Sequence, residues 1–249
     1  MTVRRALLTG ASSGIGTASA LELARDGYAL WITYAGRESE AARVADDCRR
    51  AGAAEVRVSR LDLRDPASVM SLVKEIDEAW SELHVLVNNG GVCPYTPFDD
   101  IDIDEWDLVM ETNARGTFLL TRAALPLLRA AEGDRSVVNI SSIAGQVGAL
   151  QTGMHYAASK GAILAITRSF ARHLASEGIR VNAVTPGPVA SAITDQLQGA
   201  GREKLEASIP LGAFGRPADV AWIIASLASD RARFITGATY DVNGGVRID

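Results

Sequence analysis

The segment Arg5-Ala6-Leu7-Leu8-Thr9, followed by Gly10-Ala11-Ser12-Ser13-Gly14-Ile15-Gly16 and a helical run closing at Asp26-Gly27, constrains the fold more than any other part of the chain. A short apolar strand that turns over glycines directly into a helix is a βα unit, and such a turn suits an anion. Gly10 permits the tight turn, Gly14 lets the backbone approach a phosphate, and Gly16 allows the helix to pack close on the strand. The free N–H groups and positive dipole end of the helix, with Ser12, Ser13 and Ile15 between the glycines, then face a pyrophosphate. The spacing is Gly-x-x-x-Gly-x-Gly, not the Gly-x-Gly-x-x-Gly of the general dinucleotide fingerprint. Taken alone, it also reads as an ordinary glycine-rich βα connection.

Strands expected near 5–9, 29–34, 55–60, 84–88, 136–141, 179–184 and 238–242 alternate with helical stretches, two of them long, at 104–130 and 155–177. That alternation predicts an α/β architecture: a single-domain Rossmann fold over 1–249, with a doubly wound, seven-stranded parallel sheet and helices on both faces. A chain of 249 residues, 47% hydrophobic, is enough for one such core. Gly10, Asn88, Ser142 and Pro186 each follow a predicted strand, so they converge on the carboxyl edge of the sheet, where ligands bind. The least regular stretch, 188–215, reads as a lid over the substrate.

Tyr156 and Lys160 lie one helical turn apart and share a face. An ammonium beside a phenol favours the phenolate and draws its pKa towards the range useful for proton exchange. The pair alone also fits a partly buried Tyr next to a solvated Lys.

Taken with Thr9-Gly10-x-x-x-Gly14-x-Gly16, however, Tyr156-x-x-x-Lys160 resembles the classical short-chain dehydrogenase/reductase family over essentially the whole chain. The other matches fall in order: Asp62, Asn88-Asn89-Gly90-Gly91, Asn113, Ser142, Pro186-Gly187 and Asp241-Val242-Asn243-Gly244-Gly245. The ending, with Ile235-Thr236-Gly237, is most similar to the 3-oxoacyl-acyl-carrier-protein reductases. The resemblance implies hydride exchange between a nicotinamide dinucleotide and a ketone or secondary alcohol. Tyr156 is then the general acid or base, Ser142 orients the substrate oxygen, and Lys160 tunes Tyr156 and holds the nicotinamide ribose. Asn113 is carried over as the residue that fixes a water leading to solvent. The resemblance also implies a homotetramer, built through the two long helices and the C-terminal segment.

The resemblance further implies cofactor contacts from Asp62 and Leu63 at the adenine, from Asn88, Asn89 and Gly90 near the ribose, and from Pro186, Gly187, Val189 and Ser191 at the nicotinamide. Gly90 replaces the usual Ala and Ser191 the usual Thr. At the end of the second strand, where an Asp would select NAD, stands Tyr34, and Arg37 offers positive charge to a 2′-phosphate. NADP(H) is therefore favoured over NAD(H). Glu177, Gly133 and Asp134 provide little of the positive charge that an acidic carrier would need, so a free small ketone or alcohol is the first substrate expectation and a carrier-bound 3-oxoacyl thioester the second. A non-catalytic NADP sensor is an alternative that the full set Asn113, Ser142, Tyr156 and Lys160 argues against.

A net charge of −5 without a basic tract leaves no footprint for nucleic acid or an anionic membrane. No apolar run reaches spanning length, a strand begins within five residues, and two cysteines offer no disulfide framework; a cytoplasmic protein is expected. No metal site is expected: the acidic run Asp99, Asp100, Asp102, Asp104, Glu105 and Asp107 reads as the charged start of a helix. Trp106 reads as a core or interface anchor, Cys93 and His155 as neighbours of the cleft, and Gln146, Gln151 and Met154 as candidates for substrate selectivity.

Overall fold

Two apolar faces on each central strand decide the architecture. The computed structural model describes residues 3–149, 151–191, 194 and 199–248. In it, β1 (Arg5–Leu8) is hydrogen-bonded in parallel to β2 (Ala29–Tyr34) on one side and β4 (Val85–Asn88) on the other. Leu7 and Leu8 are fully buried on opposite faces, as expected for a parallel strand covered on both sides. With β3 (Glu55–Arg60), β5 (Arg135–Ile140), β6 (Ile179–Pro186) and β7 (Thr239–Val242) the sheet has seven strands in the order β3-β2-β1-β4-β5-β6-β7, every pair parallel.

Helices cover both faces. Leu23 and Ala24 of α1 (Gly14–Arg25), Val44 and Cys48 of α2 (Glu38–Ala51), and Val220 and Ile224 of α9 (Pro217–Ala228) pack with Leu8, Ile32 and Val85. On the other face, Leu72 and Ile76 of α3 (Pro66–Trp80), Leu120 and Leu127 of α5 (Gly116–Ala130), and Leu174 of α7 (Met154–Leu174) pack with Leu7, Leu86 and Val137. This is the doubly wound sheet expected. The order reverses between β1 and β4, opening a crevice at their carboxyl ends.

The expected strands fall within two residues of those observed. The long helix expected over 104–130 is instead divided: α4 (Ile103–Val109) passes through a π-helical turn, Met110–Arg115, into α5. The wider turn carries Asn113 inward, and Gly116 behind it sits so close to Leu63 that an added Cβ would lie 2.8 Å from the Leu63 Cβ. The acidic run does start a helix, since Asp102 accepts from the Glu105 N–H at 2.8 Å. In 188–215, Val189 bridges to Gly215 and α8 (Ala200–Ala207) forms part of the stretch; residues 192, 193 and 195–198 lie outside the described residues. Four-residue α6 (Ala144–Val147) separates Ser142 from α7. Among the described residues, no helix is long and apolar enough to cross a membrane.

Candidate active site

The glycine turn is fitted by backbone against the exit of β4. Gly10 has φ +67°, and a Cβ there would lie 2.8 Å from the Gly90 Cα; a Cβ on Gly16 would lie 2.1 Å from the Gly10 carbonyl oxygen. Asn89 Nδ2 donates to the carbonyls of Thr9 and Gly10, both at 3.0 Å, while Thr9 Oγ1 accepts the N–H groups of Asn89 and Gly90 at 3.0 and 2.8 Å. Ser13, the N-cap of α1, makes no side-chain capping bond. The start of the helix therefore keeps its N–H groups for a ligand, an arrangement that fits a pyrophosphate.

Past the glycine turn, Tyr34 ends β2 half-buried, its phenol pushed up by burial and by Glu38, and Arg37 is exposed immediately before α2. Leu63 packs beneath Gly90, whose added Cβ would lie 3.1 Å from Leu63 Cδ1. Asp62 Oδ1 accepts from the Arg64 N–H at 2.9 Å. Asn88 corrects the expectation of a ribose contact: it is buried, and its amide donates to Thr121 Oγ1 at 2.9 Å and Asn139 Oδ1 at 2.8 Å inside the fold.

A cavity of about 180 Å³ opens at the carboxyl ends of β4, β5 and β6. Ser142, Tyr156 and Lys160 line it, together with the expected Ile15, Asn89, Pro186, Gly187, Val189 and Ser191. Lys160 is buried, and its Nζ donates to the Ile140 carbonyl at 2.8 Å and stands 5.6 Å from the centre of the Tyr156 ring. Asn113 is fully buried behind the cavity wall. Its Nδ2 donates to the Val92 carbonyl at 2.9 Å and to Ser159 Oγ at 3.0 Å, and its Oδ1 accepts the Val92 N–H at 2.9 Å. A Cβ on Gly91 would approach Asn113 Oδ1 to 2.8 Å, so this clamp needs a glycine there.

Electrostatics in the cavity run opposite to the expectation drawn from the Tyr-Lys spacing. Burial raises the Tyr156 phenol well above its ordinary value, Cys93 adds to the rise, and a hydrogen bond with Ser142 opposes it. Burial also lowers Lys160 to about 8. Loss of water dominates for both groups, because it penalises the charged form of each.

Of the selectivity candidates, Gln151 lines the cavity. Gln146 turns instead to Asp241, donating at 2.9 Å, and Met154 is exposed and outside the lining. Cys93 lines the cavity as expected, with its thiol pushed up to about 12 by burial. His155 does not line it: the ring is fully buried, with Nε2 2.7 Å from Glu105 Oε1, and stacks on Trp106 at 6.4 Å and 20°. Sequence reasoning missed Tyr95, Thr152 and Leu205, all part of the lining. The available signal was position, since Tyr95 follows Cys93 by two residues on the exit of β4.

A family model described as "Enoyl-(Acyl carrier protein) reductase" matches residues 10–247. The 3-oxoacyl-(acyl-carrier-protein) reductase FabG of Staphylococcus aureus is 39% identical over 245 residues, 98% of each chain. The chain belongs to the short-chain dehydrogenase/reductase family. Among solved structures, this short-chain dehydrogenase/reductase is similar to a dehydrogenase/reductase from Sinorhizobium meliloti 1021, with TM-score 0.92 and 31% identity over 100% of this chain and 96% of that one. It is also similar to a blue fluorescent protein from a metagenomic library in complex with NADPH, with TM-score 0.89 and 32% identity over 98% of each chain. As a member of this family it is an oxidoreductase, and the sensor alternative falls away.

Proposed function

We propose that this chain is an NADP(H)-dependent oxidoreductase that interconverts a ketone and a secondary alcohol, with Tyr156 as general acid in reduction and general base in oxidation. The observation that carries the reading is the shared cavity of Ser142, Tyr156 and Lys160, beside the uncapped start of α1. When bound, the dinucleotide supplies or accepts the hydride. The Ser142 hydroxyl holds the substrate oxygen and steadies its growing negative charge. The buried Tyr156 phenol, kept protonated, delivers its proton to that oxygen. Lys160 holds the nicotinamide ribose hydroxyls. Asn113 clamps the Val92 segment that forms one wall, while its water-holding role rests on family resemblance alone.

For the cofactor, Gly10, Ser12, Ser13, Gly14, Ile15 and Gly16 surround the pyrophosphate, Asn89 and Gly90 border the ribose, and Pro186, Gly187, Val189 and Ser191 the nicotinamide. Asp62 and Leu63 meet the adenine. NADP(H) is preferred because Tyr34 stands where an Asp would repel a 2′-phosphate and Arg37 offers it a guanidinium; the NADPH complex of the similar blue fluorescent protein supports this. The chain reads as one cytoplasmic domain over 1–249, with 188–215 as its lid. The Val189–Gly215 bridge pinches the ends of that segment together, and Leu205 of α8 reaches the cavity. Exposed Phe118 on α5 and Trp222 on α9 support a homotetramer.

A free ketone is the first substrate reading, because Arg129, a cation near the end of α5, is held in a two-point ion pair by Glu177 at 2.6 and 2.8 Å. The Staphylococcus aureus relative favours the second, a carrier-bound 3-oxoacyl thioester. The test follows oxidation of NADPH and NADH with an acetoacetyl thioester, a free diketone, a cyclic ketone and a keto-sugar. Turnover of a free ketone with NADPH is expected, falling roughly a thousandfold in Tyr156→Phe with dinucleotide affinity kept. Turnover with NADH alone overturns the cofactor preference, a preference for the thioester selects the second substrate, and an undiminished Tyr156→Phe variant overturns the mechanism.

A further inference from the structure

The cavity contains a second phenol. Tyr95 lines it together with Tyr156, near enough that each adds to the electrostatic environment of its surroundings: Tyr95 contributes to the rise of Tyr156, and Cys93 to that of Tyr95. Its hydroxyl has no hydrogen-bond partner among the described residues. A half-buried tyrosine that lines a binding cavity with its hydroxyl unpartnered offers a donor, and leaving that donor unpaired under a bound ligand costs stability. Burial pushes the Tyr95 phenol up to about 12, so it stays protonated at physiological pH.

Tyr95 is mounted on a fixed platform. Gly91 packs directly on Asn113, where an added Cβ would lie 2.8 Å from Oδ1, and Val92 is clamped through both its N–H and its carbonyl by the same Asn113. Pro94 accepts from the Gly153 N–H at 3.1 Å, which ties this wall to the segment just before Tyr156. A donor held through two backbone anchors can select ligand geometry. Around it the wall is mostly carbon, with Val92, Ile143, Val189 and Leu205 in the lining. Lys160 is the only cationic side chain among the described lining residues, and its Nζ already donates to Ile140. Among the described lining residues no other group is placed to neutralise a carboxylate or phosphate on the substrate.

We infer that Tyr95 is a specificity-determining residue whose hydroxyl donates to a second acceptor oxygen of an uncharged ketone, while Ser142 and Tyr156 take the reacting oxygen. The inference rests on the ketone reading of this same site and adds a substrate class to it: bifunctional ketones over monofunctional ones.

The test uses the full chain with its dinucleotide, a 1,3-diketone and a monoketone of the same chain length, comparing wild type with Tyr95→Phe. Removal of one hydroxyl is expected to lower kcat/KM for the diketone about tenfold and to leave the monoketone within about twofold. Equal loss on both ketones, or loss on neither, overturns the assignment. Calorimetric binding of both ketones to the dinucleotide-loaded protein separates this inference from the reading beneath it. If neither ketone turns over, a tenfold weaker diketone affinity confined to Tyr95→Phe still upholds the role of Tyr95 while ketone reduction fails. Absence of that discrimination in binding as well overturns Tyr95 too.

Discussion

The two halves of the crevice, proposed for the nucleotide and for the substrate, are built by different means. Around Gly10 and Gly16 the fit is against backbone: added Cβ atoms would collide with the Gly90 Cα and the Gly10 carbonyl, and the side chains of Thr9 and Asn89 lock the two turns by bonding to main-chain groups across them. Around Cys93, Tyr95 and Gln151 the loops are held at a few backbone points, and the surface offered to a ligand, with Leu205 of α8 added, is side chain. A backbone-built half fixes one ligand geometry and tolerates little substitution. A side-chain-built half can change its ligand by single replacements while its support stays in place.

The sharpest way to break this contrast is Gly16→Ala. Its methyl would have to sit 2.1 Å from the Gly10 carbonyl, so the turn must shift, and dinucleotide affinity should fall by roughly a hundredfold or more. Titration of fluorescence on NADPH binding measures it, and near-normal affinity would show that the turn has slack the contacts deny.

Next in size is a pH effect at the junction of the two halves. Lys160 sits at about 8 in the fold against an ordinary 10.5, so between those values the unfolded chain binds more protons and stability rises with pH. Urea unfolding should show Lys160→Met lacking up to ~3 kcal/mol of that rise. Identical pH profiles for the two proteins would mean that the ammonium is better solvated than its burial implies.

The smallest expected effect lies on the substrate side. A Cβ on Gly153 would lie 2.1 Å from His155 Cε1, so Gly153→Ala should cost about 2 kcal/mol by overpacking. In a His155→Ala background the same change should cost almost nothing, a non-additivity that thermal unfolding can read. Additive costs would show that the ring and the glycine are not in the conflict their positions suggest.

The same contrast explains what could be read from sequence. The glycine turn, the strand ends and the Tyr156–Lys160 spacing are local patterns with direct backbone meaning, and they lie where expected. Tyr95 and Thr152 depend on which side of a loop faces the cavity, which no local period encodes. Gln146 failed for the same reason: its partner, Asp241, is distant in sequence. Asn88 and Asn89 are neighbours with equal chemistry, yet strand alternation sends one amide into the interior and leaves the other holding the glycine turn. The rise of Tyr156 escaped because burial is a property of the whole fold.

The wide turn at Met110–Arg115 has a consequence for how the chain counts. Residues of α4 and α5 on either side of it belong to two rulers laid end to end with their marks offset, so no single face runs from Ile103 to Ala130. Asn113 occupies the slip between them. Losing one residue within this turn would bring the rulers into phase and straighten the rod, leaving no seat from which one amide reaches both Val92 and Ser159.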